Sequence, residues 1–305
     1  MTTRDDFDWL AAVHTPFDSR GELALGLIDA QAENLLAQGV SGAFVCGSTG
    51  ESLSLSVDER KLVAERWADV TRSADLSLWV HVGANALPDA CELARSAAAL
   101  NADAIALMPP CFFRPADELA LVDWCVAVDA ASGGLPMTYY ETPDMSGVEA
   151  DMHVFTEEMR RRVPNFKGVK YTVSDPKLFA ELVRNKRAEE GMWWGRDEEL
   201  LSGLEAGASG AIGSSYNYAA KVYEPILESL AGGSAQAANE AQERAVKMID
   251  VIAKYGYFGA AKAVMGFIGV PVGPARMPLS NPSAEDSAKL HHELDELGFF
   301  EWVSA

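Results

Sequence analysis

Gly207-Ala208-Ser209-Gly210-Ala211-Ile212-Gly213 reads as a helix stop, a short turn and a buried strand. Gly207 stands where a helix needs a left-handed C-terminal residue, which glycine adopts without a Cβ penalty. The same phrase occurs twice earlier, as Gly39-Val-Ser-Gly-Ala-Phe44 and Asn101-Ala-Asp-Ala-Ile105. A step from helix into strand that recurs along a chain predicts alternating β and α units.

Working outward, apolar runs predict strands at residues 9–14, 42–46, 78–82, 104–108, 136–140, 165–172, 192–195 and 210–213. Amphipathic segments separate them. Residues 23–38 place Leu27, Ile28, Ala32, Leu35 and Leu36 on one helical face. Ser56-Val-Asp-Glu59 is a capping box opening a helix that carries Leu62, Val63, Trp67 and Val70 inward. Further helices are predicted over residues 88–100 and 116–130, and Ser174 and Asp175 can open another after the sixth strand. Eight strands alternating with helices predict a closed parallel (β/α)8 TIM barrel over residues 1–231. No Gly-x-Gly-x-x-Gly follows the first strand, which counts against a dinucleotide-binding fold. After Gly232-Gly233 the alternation stops. Residues 235–255, 260–268 and 284–297 read as helices, with a link carrying Pro271, Pro274, Pro278 and Pro282 between the last two. Residues 232–305 are therefore expected as a C-terminal helical extension packed on the barrel or serving an oligomer contact.

Bulk properties bound the function. The 305 residues, 49% hydrophobic, suffice for a large core. No apolar run approaches the roughly 20 residues of a membrane span. Residues 1–6 lack the charged start and apolar centre of a signal peptide. Cys46, Cys91, Cys111 and Cys125 show no metal-ligand spacing and read as free thiols in a reducing cytoplasm. A net charge of -20 argues against nucleic acid or an anionic membrane surface as partner. An anionic substrate would need a locally favourable site against that background.

In a parallel barrel, catalytic groups lie at the C-terminal ends of strands and in the loops beyond. Lys170 ends the sixth strand. A lysine there either snorkels to water or serves as an amine nucleophile. Gly47-Ser48-Thr49-Gly50-Glu51, after the second strand, is either an ordinary glycine-rich turn or a set of N–H groups and hydroxyls for a carboxylate or phosphate. Tyr140 ends the fifth strand, as a proton relay or a rim aromatic. Asp197 and Glu198 follow the seventh, as helix-capping acids or polar contacts. Gly213-Ser214-Ser215-Tyr216-Asn217 follows the eighth, where this architecture often binds phosphate. His14, His81, His153, His291 and His292 have no partners at metal-ligand spacing, so no metal site is expected. A lysine, a tyrosine, an anion-binding turn and hydroxyl-rich loops on one rim suit Schiff-base chemistry on a small 2-oxo acid.

These stretches together resemble the dihydrodipicolinate synthase and N-acetylneuraminate lyase superfamily of class I aldolases. The resemblance rests on Gly47-Ser-Thr-Gly-Glu51, Tyr140-Glu-Thr-Pro-Asp-Met-Ser-Gly147, Gly168-Val-Lys-Tyr-Thr172 and Gly207-Ala-Ser-Gly-Ala-Ile-Gly-Ser214, and runs through nearly the whole chain. The synthase branch usually carries an arginine where Met145 stands, and a tyrosine where Phe112 stands. The runs 195–201, 213–218 and 50–57, with Lys262-Ala-Val-Met265 and Gly273-Pro-Ala-Arg-Met-Pro278, look like the sialic acid lyase branch. Glu141 and Asp144 depart from that branch's commonest motif.

The resemblance implies that Lys170 forms a Schiff base with a sugar 2-oxo acid, N-acetylneuraminate, and releases pyruvate and N-acetylmannosamine. Tyr140 would relay the proton. Ser48 and Thr49 would hold the carboxylate, and Thr172, Asp197, Glu198, Ser214 and the backbone at Gly195 would contact the sugar hydroxyls. It implies no metal or organic cofactor and a homotetramer. A second aldolase of the superfamily, acting on a 2-oxo-3-deoxy sugar acid or making dihydrodipicolinate, and a non-catalytic sugar-acid binding barrel are the alternatives.

Overall fold

The computed structural model describes residues 6–304; residues 1–5, and with them most of the polar opening stretch, lie outside the described residues, as does residue 305. The strands are β1 (Asp8–Ala12), β2 (Gly42–Val45), β3 (Ser77–His81), β4 (Ala104–Leu107), β5 (Met137–Glu141), β6 (Phe166–Tyr171), β7 (Gly191–Trp194) and β8 (Gly210–Gly213). They form one closed barrel in sequence order, and β1 pairs in parallel with both β2 and β8. The (β/α)8 architecture is thus present. Gly39, Asn101 and Gly207 have φ of 73°, 56° and 95°, the left-handed turns that launch β2, β4 and β8.

The barrel helices are α1 (Ile28–Ala37), α2 (Val57–Thr71), α3 (Leu87–Ala99), α4 (Glu118–Asp129), a single turn α5 (Pro143–Ser146), α6 (Met152–Arg162), α7 (Pro176–Asn185), α8 (Leu200–Glu205) and α9 (Tyr216–Ser229). Both bonds of the Ser56–Glu59 capping box are made at the start of α2. Asp175 caps α7 through Lys177 and Leu178 N–H, with Pro176 at the first turn. One inward assignment is corrected. Leu62 points outward at 46% exposure, because Val63 and Trp67, four residues apart, already define the buried stripe and Leu62 lies about 100° off it. Helix α9 is buried on nearly every side and breaks at Ala219, so its sequence shows no clean apolar stripe.

Strand alternation decides what enters the barrel. Leu10, Phe44, Trp79, Ala106, Trp193 and Ile212 fill the interior with Tyr140, and Trp79 meets Trp193 edge-on at 4.8 Å. The barrel is therefore a packed core rather than a pore. Tyr139, Val169, Tyr171 and Trp194 face the helices instead. Tyr140 and Lys170 pair in register on adjacent strands.

The extension comprises α10 (Ala235–Ala253), α11 (Tyr257–Phe267), α12 (Ala284–Glu296) and α13 (Phe299–Ser304). Met248, Ile252, Leu290 and Phe299 belong to the same apolar cluster as Tyr223 and Ile226 of α9. The last helix, α13, lies beyond the predicted elements.

Candidate active site

At the C-terminal mouth of the barrel a cleft of about 350 Å³ has Lys170 and Tyr140 in its wall. A larger groove of about 470 Å³ runs between α7 and α8, but Lys177, Arg184, Glu181 and Glu205 make it an outer charged surface with no buried reactive group. Chemistry, not size, identifies the site.

Lys170 is 4% exposed, and its ammonium nitrogen lies 4.1 Å from the Tyr140 ring centroid and 4.3 Å from that of Phe44. The snorkelling alternative fails here, because the side chain points into the barrel rather than along it to water. Its neighbours are ring faces. Ser48 Oγ lies 3.3 Å from Tyr140 Oη, so the 47–51 turn and the fifth strand meet beside the amine. Thr49 lines the same cleft.

The remaining predicted residues divide. Thr172 lines the cleft while its hydroxyl donates to the Glu141 carbonyl at 2.6 Å, fixing its rotamer. Gly195 lies beside the lysine stem; a Cβ there would stand 2.5 Å from Thr172 Cγ2. Its N–H is already used by the Tyr171 carbonyl, at 2.8 Å. Glu198 lines the cleft and pairs with Arg196 at 2.9 Å. Ser214 lines it too, sharing a 2.7 Å hydrogen bond with Tyr257.

Asp197 is placed differently from Glu198. Its side chain is buried behind Gly213, and Oδ2 accepts both Ser215 N–H (2.8 Å) and Ser215 O–H (2.6 Å). Only glycine fits in front of it, since a Cβ on Gly213 would come within 1.7 Å of Asp197 Oδ1. The carboxylate thereby anchors the start of α9, where the helix dipole favours negative charge. Burial nonetheless pushes its pKa up to about 6, against the pull of the Ser215 hydrogen bonds.

Arg196, Tyr257 and Phe258 are among the cleft residues that escaped the sequence reading. Arg196 stands next to Asp197 and Glu198, and nothing in its spacing marks it as a cleft residue. Tyr257 and Phe258 enter from the extension, beyond the last strand, where Gly256 at φ 81° turns the chain into α11. The phrase Gly256-Tyr257-Phe258-Gly259 is a weak signal by itself. Behind the wall, burial pushes Glu141 up to about 7, while the Tyr139 hydroxyl pulls it down. His14 and His81 are buried, and burial holds His14 down at about 3 and His81 well below the usual imidazole range. Among the described residues no group of three or more His, Cys, Asp or Glu side chains could hold a metal ion. No helix among the described residues is long and apolar enough to cross a membrane.

Comparison with known proteins bears on this geometry. Residues 7–297 match the dihydrodipicolinate synthetase family. N-acetylneuraminate lyase of Mus musculus is 37% identical over 294 residues, covering 95% of this chain and 92% of that protein. The Homo sapiens N-acetylneuraminate lyase is 36% identical over 300 residues, covering 96% and 93%. The solved Proteus mirabilis N-acetylneuraminate lyase superposes with a TM-score of 0.91 at 36% identity, covering 95% of this chain and 98% of that one.

Proposed function

The chain belongs to the dihydrodipicolinate synthetase family, and we propose that it is a Schiff-base aldolase cleaving N-acetylneuraminate reversibly to pyruvate and N-acetylmannosamine. The observation that carries this reading is a buried lysine amine between two rings, with Tyr140 Oη and Ser48 Oγ 3.3 Å apart beside it.

The neutral amine of Lys170 attacks the C2 ketone, and loss of water gives an iminium. That cation accepts the electron pair of the C3–C4 bond as it breaks. Tyr140 relays the C4 hydroxyl proton, passing its own phenolic proton on as it receives it, the aldehyde N-acetylmannosamine departs, and an enamine remains. Protonation at C3 and hydrolysis of the iminium release pyruvate and restore the lysine. Ser48 and Thr49 hold the substrate carboxylate through hydroxyls and backbone N–H groups. Thr172, Glu198, Ser214 and the Gly195 backbone face the sugar, with Asp197 supporting that wall from behind Gly213. A site built from such acceptors discriminates strongly against analogues lacking the matching hydroxyls. The chemistry needs no metal or organic cofactor and no nucleic-acid partner. Met145 on the cleft wall supplies no cation for a second substrate carboxylate, which favours the lyase over the synthase reading. We place the enzyme in the cytoplasm as a homotetramer; exposed Phe112 and Phe113 fit a surface that another copy covers.

Borohydride reduction in the presence of pyruvate tests the proposal. It should leave a pyruvate-derived adduct on Lys170, found by peptide mass, and Lys170→Ala should lose adduct and turnover while keeping its fold. A non-catalytic binder gains no adduct. Pyruvate release from N-acetylneuraminate, compared with 2-oxo-3-deoxygluconate, separates the lyase from the other aldolases; no release from the former overturns the substrate assignment.

A further inference from the structure

A second buried lysine, Lys262 of α11, is 3% exposed and lies far along the chain from the catalytic strands. Its ammonium pairs with Glu51 Oε1 at 2.5 Å and donates to the Thr15 carbonyl at 2.8 Å and the Pro274 carbonyl at 3.0 Å. Three partners occupy its three donors, so it offers no lone pair to a ketone. It instead joins the loop after β1, the turn after β2 and the proline-rich link.

Glu51 is the far end of the 47–51 turn. Its backbone has φ 62°, and Cys46 just before the turn has φ 60°, so two non-glycine residues in the left-handed region bracket the turn. Such conformations persist only where surrounding contacts over-determine them. Those contacts come from the extension and from the loop after β1. Beyond Lys262, Glu51 Oε2 accepts Arg276 N–H at 2.8 Å, and Thr15 Oγ1 donates to the Gly50 carbonyl at 2.7 Å. The turn is pressed inward as well, since a Cβ on Gly47 would meet the Phe44 ring at 2.5 Å. Its other end presents Ser48 and Thr49 to the cleft. Glu51 thus puts a buried carboxylate beneath a turn that must receive an anion, and Lys262 neutralises it.

We propose that the Glu51–Lys262 pair is a positioning device: it fixes and charge-balances the 47–51 turn, so that the helical extension sets the affinity for the 2-oxo acid carboxylate. This rests on the Schiff-base reading above. Neither residue touches the reacting atoms.

The test is the pyruvate concentration dependence of borohydride trapping. In Lys262→Met and in Glu51→Gln/Lys262→Met, half-saturation should rise roughly tenfold, with Lys262→Met the worse of the two, while adduct yield at saturating pyruvate stays near wild type. A merely structural loss would lower the yield instead. Thr15→Val, which keeps the ion pair and frees only the Gly50 carbonyl, should raise half-saturation about threefold. A folded double variant within about twofold of wild type overturns the inference. Where the double variant does not fold, an unshifted Thr15→Val overturns it. No adduct in the wild-type chain overturns the Schiff-base reading and this inference with it; a wild-type adduct with unshifted variants overturns this inference alone.

Discussion

Lys170 and Tyr140 occupy paired positions on β6 and β5, so strand parity alone turns both into the barrel. Parity was readable from the alternation of Val169, Lys170 and Tyr171; the corner of two perpendicular rings, Phe44 and Tyr140, that holds the amine was not. Removing the phenol while keeping the ring tests the proposed relay. Tyr140→Phe should lower kcat by about 10²- to 10⁴-fold, with a smaller change in the pyruvate half-saturation. Steady-state assays with N-acetylneuraminate check it. Glu141, one residue on, faces the opposite way and is buried. Its pKa of about 7 lies above the ordinary 4.5, so between those values the folded chain keeps a proton that the unfolded chain has lost. Stability from this group is therefore intact below about 4.5 and declines as pH rises to about 7. Glu141→Gln removes the decline. Relative to wild type, the variant should gain on the order of 3 kcal/mol in unfolding free energy between pH 5 and pH 8. Urea unfolding at the two pH values measures it, and an equal dependence in both proteins contradicts the assignment.

At the scale of elements, the signals that worked are local. Ser56 and Glu59 are three residues apart and satisfy each other's backbone donors whatever the rest of the chain does. Ser56→Ala should lower stability by about 1 kcal/mol, read as a reduced denaturation midpoint with unchanged aldolase activity. The Gly39, Asn101 and Gly207 turns are equally local, because a left-handed φ is a property of one residue. Elements whose surroundings are apolar on all sides gave no such signal. Helix α9 buries Tyr216, Tyr218, Tyr223 and Ile226, which do not share one stripe, and it contains Pro225. The acids after β7 were similarly undecidable from spacing. Asp197 turns behind Gly213 to hold α9, whereas Glu198 stays at the cleft with Arg196.

For the whole molecule, the extension is part of the machine rather than an appendage. It supplies Tyr257 and Phe258 to the cleft, Lys262 and Arg276 to the 47–51 turn, and Met248, Ile252 and Leu290 to the common apolar cluster. A chain ending at residue 231 would expose that cluster, and it should fail to give a soluble, cooperatively melting barrel. The intact chain should unfold in one transition by both far-UV and near-UV circular dichroism; two separate transitions would show an autonomous barrel. Strand count, barrel class and the strand ends at which Lys170 and Tyr140 stand were determined by the sequence itself. Each follows from periodicity, turn residues or a short motif within a few positions of chain. Tertiary structure alone decided that Lys262 is held by Glu51 and two backbone carbonyls, that Asp197 stands behind Gly213, and that Tyr257 enters the cleft. These depend on residues brought together over separations from 18 positions, for Asp197 and Ser215, to 247, for Thr15 and Lys262, and no local pattern carries the burial and charge that such contacts create.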